Sequence, residues 1–560
     1  MTETPRKTVK NVRLNAKDYE VPYRTPVGEV IRDHTATGAY AVLAAIVQQR
    51  CVDLSFPICA PTTIVPVDYT MREGVLVYRH TASLILLEAV RRIFPGARVT
   101  IGQAMGNGYF YEVRHGREFT PADRTRLDET MRQIVKADLP IRTEMVSLNE
   151  ARQIFQDNGF KDKLRLLQTW WEPFVPIVYC GDVPELHHSP VAPSTGYIKH
   201  FELVYQEPGL VLRFPPRGKP QPMRPYQDTP KLFQVYRETR RWNEILQIED
   251  VGQLNEMTIR GGSVELTRIA EGMHEKKIAQ IADQISGMAN RVRLVTIAGP
   301  SASGKTTFSK RLSLQLLVDG ITPVALSTDN FYVNRADTPL DERGNYDFES
   351  IEAIDLGLFN DTLEKLLKGE EVLTPRYDFQ TGMRRPKDKW LPMRLEPGQM
   401  LVVEGIHGLN NRLTEAVGDD QKFKIYVSAL TQLCIDDHNR IFTSDARFLR
   451  RIVRDRLFRG YAAATTIETW PRVRKGEMRN IFPYQEQCDV MFNSSLVYEQ
   501  AVLRTYAERF LLEVPQDHPS FVDAYRLLKF VEYFVPMFDD SVPQISILRE
   551  FIGGSGFKYK

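Results

Sequence analysis

The run VRLVTIAGPSASGKTTFSKRLSLQLL, residues 292–317, constrains this chain more than any other stretch. Val292 to Ala298 reads as an apolar, β-branched strand. Gly299 to Thr306, GPSASGKT, fits G-x-x-x-x-G-K-[ST], and a helical pattern starts at once after it. A strand, a glycine-bracketed loop and a helix in that order make a phosphate loop. Glycines let backbone N–H groups turn inward onto phosphate oxygens, and the helix adds its positive N-terminal end. The expected cradle is Gly299, Ser301, Ala302, Ser303, Gly304, Lys305, Thr306 and Thr307. Lys305 can reach the β- and γ-phosphates, and the Thr306 hydroxyl can face a metal ion. A plain glycine turn between strand and helix is the structural alternative.

At 560 residues the chain exceeds one hydrophobic core. Its expected units are 1–68, 69–240, a helical connector 241–290, an α/β unit 291–496 and a helical extension 497–560. The expected class is multidomain α/β. Lys plus Arg number 73 against 71 Asp plus Glu, so no global basic field points to nucleic acid. Five scattered cysteines without a C-x-x-C pair argue against a disulfide framework or structural zinc. The N-terminus, MTETPRKTVK, lacks the apolar core of a signal peptide, and no run of eighteen apolar residues appears. A cytoplasmic protein is expected, with association through the connector helix or helical tail an open option.

Two acids and an arginine helix come after the phosphate loop. PVALSTDNFY closes an apolar strand on Asp329, where a carboxylate at a strand's carboxyl end faces the ligand crevice of a parallel sheet. There it can take the proton of an attacking hydroxyl. A helix N-cap is the bland alternative. MLVVEGIHGL places Glu404 after apolar residues, in the position of a metal-side acid. RFLRRIVRDRLFRG puts Arg447, Arg450, Arg451 and Arg454 on one helix face, where like charges repel. An arginine-lined lid on phosphates accounts for them better than a solvated face.

Together the phosphate loop, TDNFY, NYDFES, PRYDF, VVEGI and the arginine helix resemble the uridine–cytidine kinase family, relatives of phosphoribulokinase, over residues 291–496. The resemblance implies an ATP- and Mg²⁺-dependent kinase with a nucleoside acceptor. Asp329 is then the base for the 5′-hydroxyl, Tyr332 lines the pocket and Asp347 holds the ribose. Tyr377 and Phe379 flank the base, Glu404 and Thr306 face Mg²⁺, and Arg451, Arg454 and Arg459 grip ribose or phosphates. Gly382 stands where pyrimidine-specific members carry a base-contacting histidine, which leaves the base open. A kinase for another small hydroxyl substrate, such as a phosphorylated sugar, and a nucleotide-switched tRNA-binding protein are the competing readings.

The first 240 residues resemble the N-terminal part of threonyl-tRNA synthetase. Residues 1–68 look like its β-grasp TGS domain, and residues 69–240 look like its editing domain. RHTASL, read as opening a helix at His80, lies where that family has a histidine pair. ELHHSPV lies where it has a cysteine and a histidine. Of those four positions this chain keeps His80, has Leu84 and Val191, and puts His187 in the cysteine's place. Loss of editing chemistry is therefore expected, with the module retained for binding tRNA or an amino acid. An altered site from His80, His187 and His188 is the alternative. The ending SILREFIGGSGF has no account on sequence grounds.

Overall fold

A computed structural model describes residues 9–35, 38, 40–218, 223–342, 344–378 and 381–559. The first unit is a five-stranded mixed sheet, in the order Lys17–Pro22, Val9–Leu14, Thr62–Val67, Ala44–Val47, Arg50–Val52. Val9–Leu14 and Thr62–Val67 run parallel. The helix Val27–His34 lies on the sheet through Val27, Val30 and Ile31, a β-grasp arrangement.

The second unit wraps a long helix with two antiparallel sheets, one of four strands and one of three. That helix spans Arg72–Ile93. His80 is thus two turns inside it and does not open it, which corrects the expectation from RHTASL. The reason is the apolar run before it: Val75, Val77 and Tyr78 bury one face and carry the helix back to Arg72. Leu84 and Val191, the two aliphatic replacements, are core residues, 2% and 3% exposed.

In the third unit five parallel strands run in the order Thr322–Ser327, Gln399–Glu404, Leu294–Ala298, Lys422–Ser428, Val490–Asn493. Every residue of Leu294–Ala298 is buried, as a strand covered on both faces requires. The phosphate loop leaves this central strand, so it opens at the carboxyl edge of the sheet, flanked by the ends of its neighbours.

The helix Ser263–Ser286 packs along Lys305–Val318 through Ile278, Ile281 and Ile285, and Arg311 reaches back to Glu271 and Glu275. The C-terminal helices belong to the same core. Glu499–Leu512 packs on Thr443–Phe458, and Ile547, Phe551 and Ile552 join the cluster that holds Ile297 and Phe308. No described helix is long and apolar enough to cross a membrane.

The halves are joined by a buried ionic network around the hairpin Cys434–Asp436 and Asn439–Arg440. Lys163 Nζ lies 3.1 Å from Glu185 and 3.5 Å from both Asp162 and Asp436. His188 meets Asp436 at 2.8 Å and His438 meets Glu185 at 2.6 Å, while Arg98 forks onto Asp437. Removing one member of such a set leaves a charge uncompensated, at a cost of about 3–5 kcal/mol. The halves are therefore held in one register.

Candidate active site

The loop geometry is set by its small residues. A Cβ on Gly299 would lie 2.0 Å from the Val427 carbonyl oxygen, so only glycine lets the chain leave between two strands. Ala302 and Gly304 take φ of 57° and 83°. Left-handed Ala302 costs roughly 1–2 kcal/mol, and successive residues of this kind are how a phosphate-binding loop turns its N–H groups to one side; here the Ser301 N–H is held by Glu477 at 3.1 Å and the Ser303 N–H by the Pro300 carbonyl at 3.3 Å. The Ser303 hydroxyl is buried there with no hydrogen-bond partner among the described residues, which fits a loop shaped for an anion. Lys305 rests its Nζ on the Pro300 carbonyl at 3.2 Å.

Thr306 donates its hydroxyl to Glu404 Oε1 at 2.8 Å. Glu404 ends its strand in register with Ile297 and Ser327, which brings it beside the loop and beside Asp329. Burial pushes its carboxyl up to about 7; Lys305 and Thr306 oppose that, and the nearby Asp329 adds to it. A hydroxyl and a carboxylate at a phosphate loop form the hard-oxygen set that suits Mg²⁺, which binds through one or two carboxylates plus substrate phosphates. Among the described residues no group of three His, Cys, Asp or Glu could hold an ion unaided.

Beside the loop lie the turn after Thr322–Ser327 and two short strand pairs, Val372–Thr374 with Leu391–Met393 and Tyr377–Asp378 with Met383–Arg384. The Tyr332 and Tyr377 rings lie 5.6 Å apart. Burial raises the Tyr332 hydroxyl well above its ordinary range, with the negative charges of Asp329 and Glu349 adding to it. Asp347 accepts the Glu349 backbone N–H at 3.2 Å, and its own N–H is held by the Pro339 carbonyl. Phe379 lies outside the described residues.

Gly382 sits at φ 72°, and a Cβ there would meet the Arg335 guanidinium at 2.6 Å. The space beside Gly382 is thus filled from another segment, by a residue the sequence did not single out. Glu349 was missed as well. Its carboxyl is pushed up to about 7 by burial and by Glu477, against the pull of Arg451 and Lys305. Its place inside NYDFES is the only sequence signal that could have pointed to it.

The arginine helix divides. Arg451 donates to the Ser301 hydroxyl at 2.8 Å, and Arg451, Arg454 and Arg459 share Asp455. The charge of Asp329 reaches Arg459. Arg447 and Arg450 do not line a lid, which corrects the reading of all four as one face on phosphate. They are 1% and 0% exposed. Arg447 forks onto Glu477 at 2.5 and 2.8 Å and donates to the Ser301 carbonyl, while Arg450 pairs with Glu499. These two brace the phosphate loop from behind.

The unexplained ending also reaches this site. Glu550 accepts both the Thr307 backbone N–H, at 3.1 Å, and its hydroxyl, at 2.7 Å, and the Tyr559 hydroxyl lies 2.8 Å from the same oxygen of Thr307. A carboxylate therefore stands at a helix N-terminal N–H that the sequence assigns to phosphate.

Residues 294–499 match the Phosphoribulokinase / Uridine kinase family, so the C-terminal half of this chain carries a kinase domain of that family. The N-terminal half is similar to threonine–tRNA ligases. That of Marinobacter nauticus is 34% identical over 178 residues, 32% of this chain and 28% of the ligase. That of Symbiobacterium thermophilum is 34% identical over 186 residues, 33% and 29% of the two chains. The chain thus spans less than a third of the length of these relatives. Among solved structures, one described as a possible uridine kinase from Bacillus stearothermophilus aligns with 38% of this chain and 99% of its own, at 19% identity and a TM-score of 0.25.

Proposed function

We propose that this protein is an ATP-dependent kinase that transfers the γ-phosphate to the 5′-hydroxyl of a nucleoside. The observation that carries the reading is the convergence of Lys305, Thr306, Glu404 and the Asp329 turn at one sheet edge. Lys305 neutralises charge on the transferring phosphate and the loop N–H groups orient it. Asp329 takes the proton of the acceptor hydroxyl as the O–P bond forms. Tyr332 and Tyr377 hold the acceptor's flat face, Asp347 faces the ribose, and Arg451, Arg454 and Arg459 close over the phosphates. Mg²⁺, held by Thr306 and Glu404, would neutralise the triphosphate.

The test is phosphorylation of uridine, cytidine, adenosine, guanosine, inosine and thymidine with ATP and Mg²⁺, with Lys305→Ala as control. Turnover lost in the control supports the kinase. ATP binding without turnover of any nucleoside removes this acceptor class.

A second reading is favoured by Arg335. A guanidinium where a base-edge histidine would stand suits an acceptor that bears its own anion, such as a phosphorylated sugar. Adding sugar phosphates to the same panel separates the two readings. For the synthetase-like half, tRNA or amino-acid binding is the matching proposal, and salt-sensitive tRNA binding is its check.

A further inference from the structure

A cavity of about 850 Å³ lies between the two halves, within the size range of small-molecule sites. Its walls come from the β-grasp unit, the 72–93 helix, the hairpin that ends in Arg440 and the helix Phe521–Val531. It is remote in sequence from the phosphate loop, and the kinase reading does not depend on it.

What marks the cavity is an unanswered charge. Five arginines of the described chain are buried. Arg213, Arg311, Arg447 and Arg450 each face a carboxylate. The side chain of Arg440, a residue 7% exposed, makes no hydrogen bond or ion pair with any described residue, and its Nε and Nη1 are orphaned. Its guanidinium lies 5.1 Å from the centre of the Tyr109 ring. Arg79 lies next to the same ring, at 5.6 Å, and donates from Nη1 to the Tyr109 hydroxyl at 3.4 Å; it too has no carboxylate partner among the described residues, and its Nε is orphaned. Stacking on an aromatic face offsets part of the desolvation of a cation, but two neighbouring guanidiniums repel each other. Burial pulls Arg440 below its ordinary range, and Arg79 adds to that pull.

Other residues lining the cavity have a different chemistry. His187 Nε2 lies 2.8 Å from Asp53, and His80 Nδ1 lies 2.9 Å from the Ser189 hydroxyl. These groups can meet the hydroxyl or amino groups of a ligand, while Phe442 and Trp170 supply aromatic surface.

We propose that this cavity binds a small organic oxyanion, its anionic group drawn by Arg79 and Arg440, both next to the Tyr109 ring, and its other polar groups met by His80, His187 and Asp53. Carboxylates and phosphates share the chemistry that paired guanidiniums recognise. Because Arg440 belongs to the kinase half and Arg79 to the other, such a ligand bridges both.

The test uses the full chain with Lys305→Ala, so that the phosphate loop is disabled. Binding of inorganic phosphate, uridine 5′-monophosphate and L-threonine is monitored by calorimetry and by the melting temperature, then repeated with Arg440→Gln and with Arg79→Gln. Stabilisation by at least one probe, with affinity about tenfold or more weaker in the arginine variants, is expected. A response to the phosphate-bearing probes assigns a phosphate, and a response to L-threonine alone assigns a carboxylate. Should Arg440→Gln fail to fold, Arg79→Gln and the quenching of Trp170 and Trp171 fluorescence in the parent read the same outcome. No response to any probe, or responses unchanged by the arginine variants, overturns the proposal.

Discussion

The phosphate loop and the histidine cleft are both held against a long helix, yet they have fared differently. The loop keeps its whole pattern, and its function rests mainly on backbone N–H groups shaped by Gly299, Ala302 and Gly304. The wall that carries His80 is built of side chains, and Leu84 and Val191, at two of the positions compared with the synthetase family, lie in the packed core. His80, His187 and His188 line or border the cavity, His80 with Ser189 at 2.9 Å, His187 2.8 Å from Asp53 and His188 2.8 Å from Asp436. A backbone-built site can be read from a short motif. A side-chain site depends on each of its residues and cannot be read from a short motif in the same way.

If that contrast holds, damage to the loop should be large and damage to the cleft small. Lys305→Ala should lower phosphotransfer on the order of 10⁴-fold, the scale on which a transition-state cation acts, with the melting temperature unchanged within a few degrees. Asp329→Asn should cost about 10³-fold in turnover at constant ATP affinity, measured in the same assay.

Glu404 sharpens the comparison through pH. Its carboxyl is raised from 4.5 to about 7, so the folded, ligand-free protein holds this proton more tightly than the unfolded chain. Its contribution to stability is therefore lost as pH rises from 4.5 through about 7. On the proposed function Glu404 would face Mg·ATP in its ionised form, so apparent affinity should rise over the same interval. Glu404→Gln should flatten both trends, read by denaturant titration and nucleotide binding.

Glu550→Gln removes a negative charge from the Thr307 N–H, so nucleotide affinity should increase severalfold, measured with a non-hydrolysable analogue. The smallest effect belongs to the cleft. Burial, with His187 and His188, lowers His80 to about 4, so the folded protein keeps it neutral and loses stability as pH falls from 6.5 towards 4. His80→Gln should flatten that acid-side loss and leave phosphotransfer unchanged.

What could be read in the sequence was local. The apolar strand before Gly299 and the strand ends at Asp329 and Glu404 could be read locally, since the loop and each acid come at the end of a strand of their own. The arginine helix shows the limit. Spacing puts Arg447 and Arg450 on one face, but nothing nearby says that Glu477 and Glu499, 30 and 49 residues on, will bury them. Glu550 meets Thr307 across 243 residues, which no periodicity can announce. The start of the 72–93 helix was misplaced for another reason: Val75 to Tyr78 fits a strand as well as a buried helix face.

The network at Lys163 carries a consequence for the order of events during synthesis. Lys163 and His438 are 275 residues apart. At ordinary rates of elongation the ribosome needs roughly 15–55 s to bridge that interval. Until then the first half has Asp162 and Glu185 on its lysine, and the wall that will close the large cavity does not exist. A ligand resting on Arg440 can therefore recognise only a chain whose two halves have already met, and its binding would report that assembly is complete.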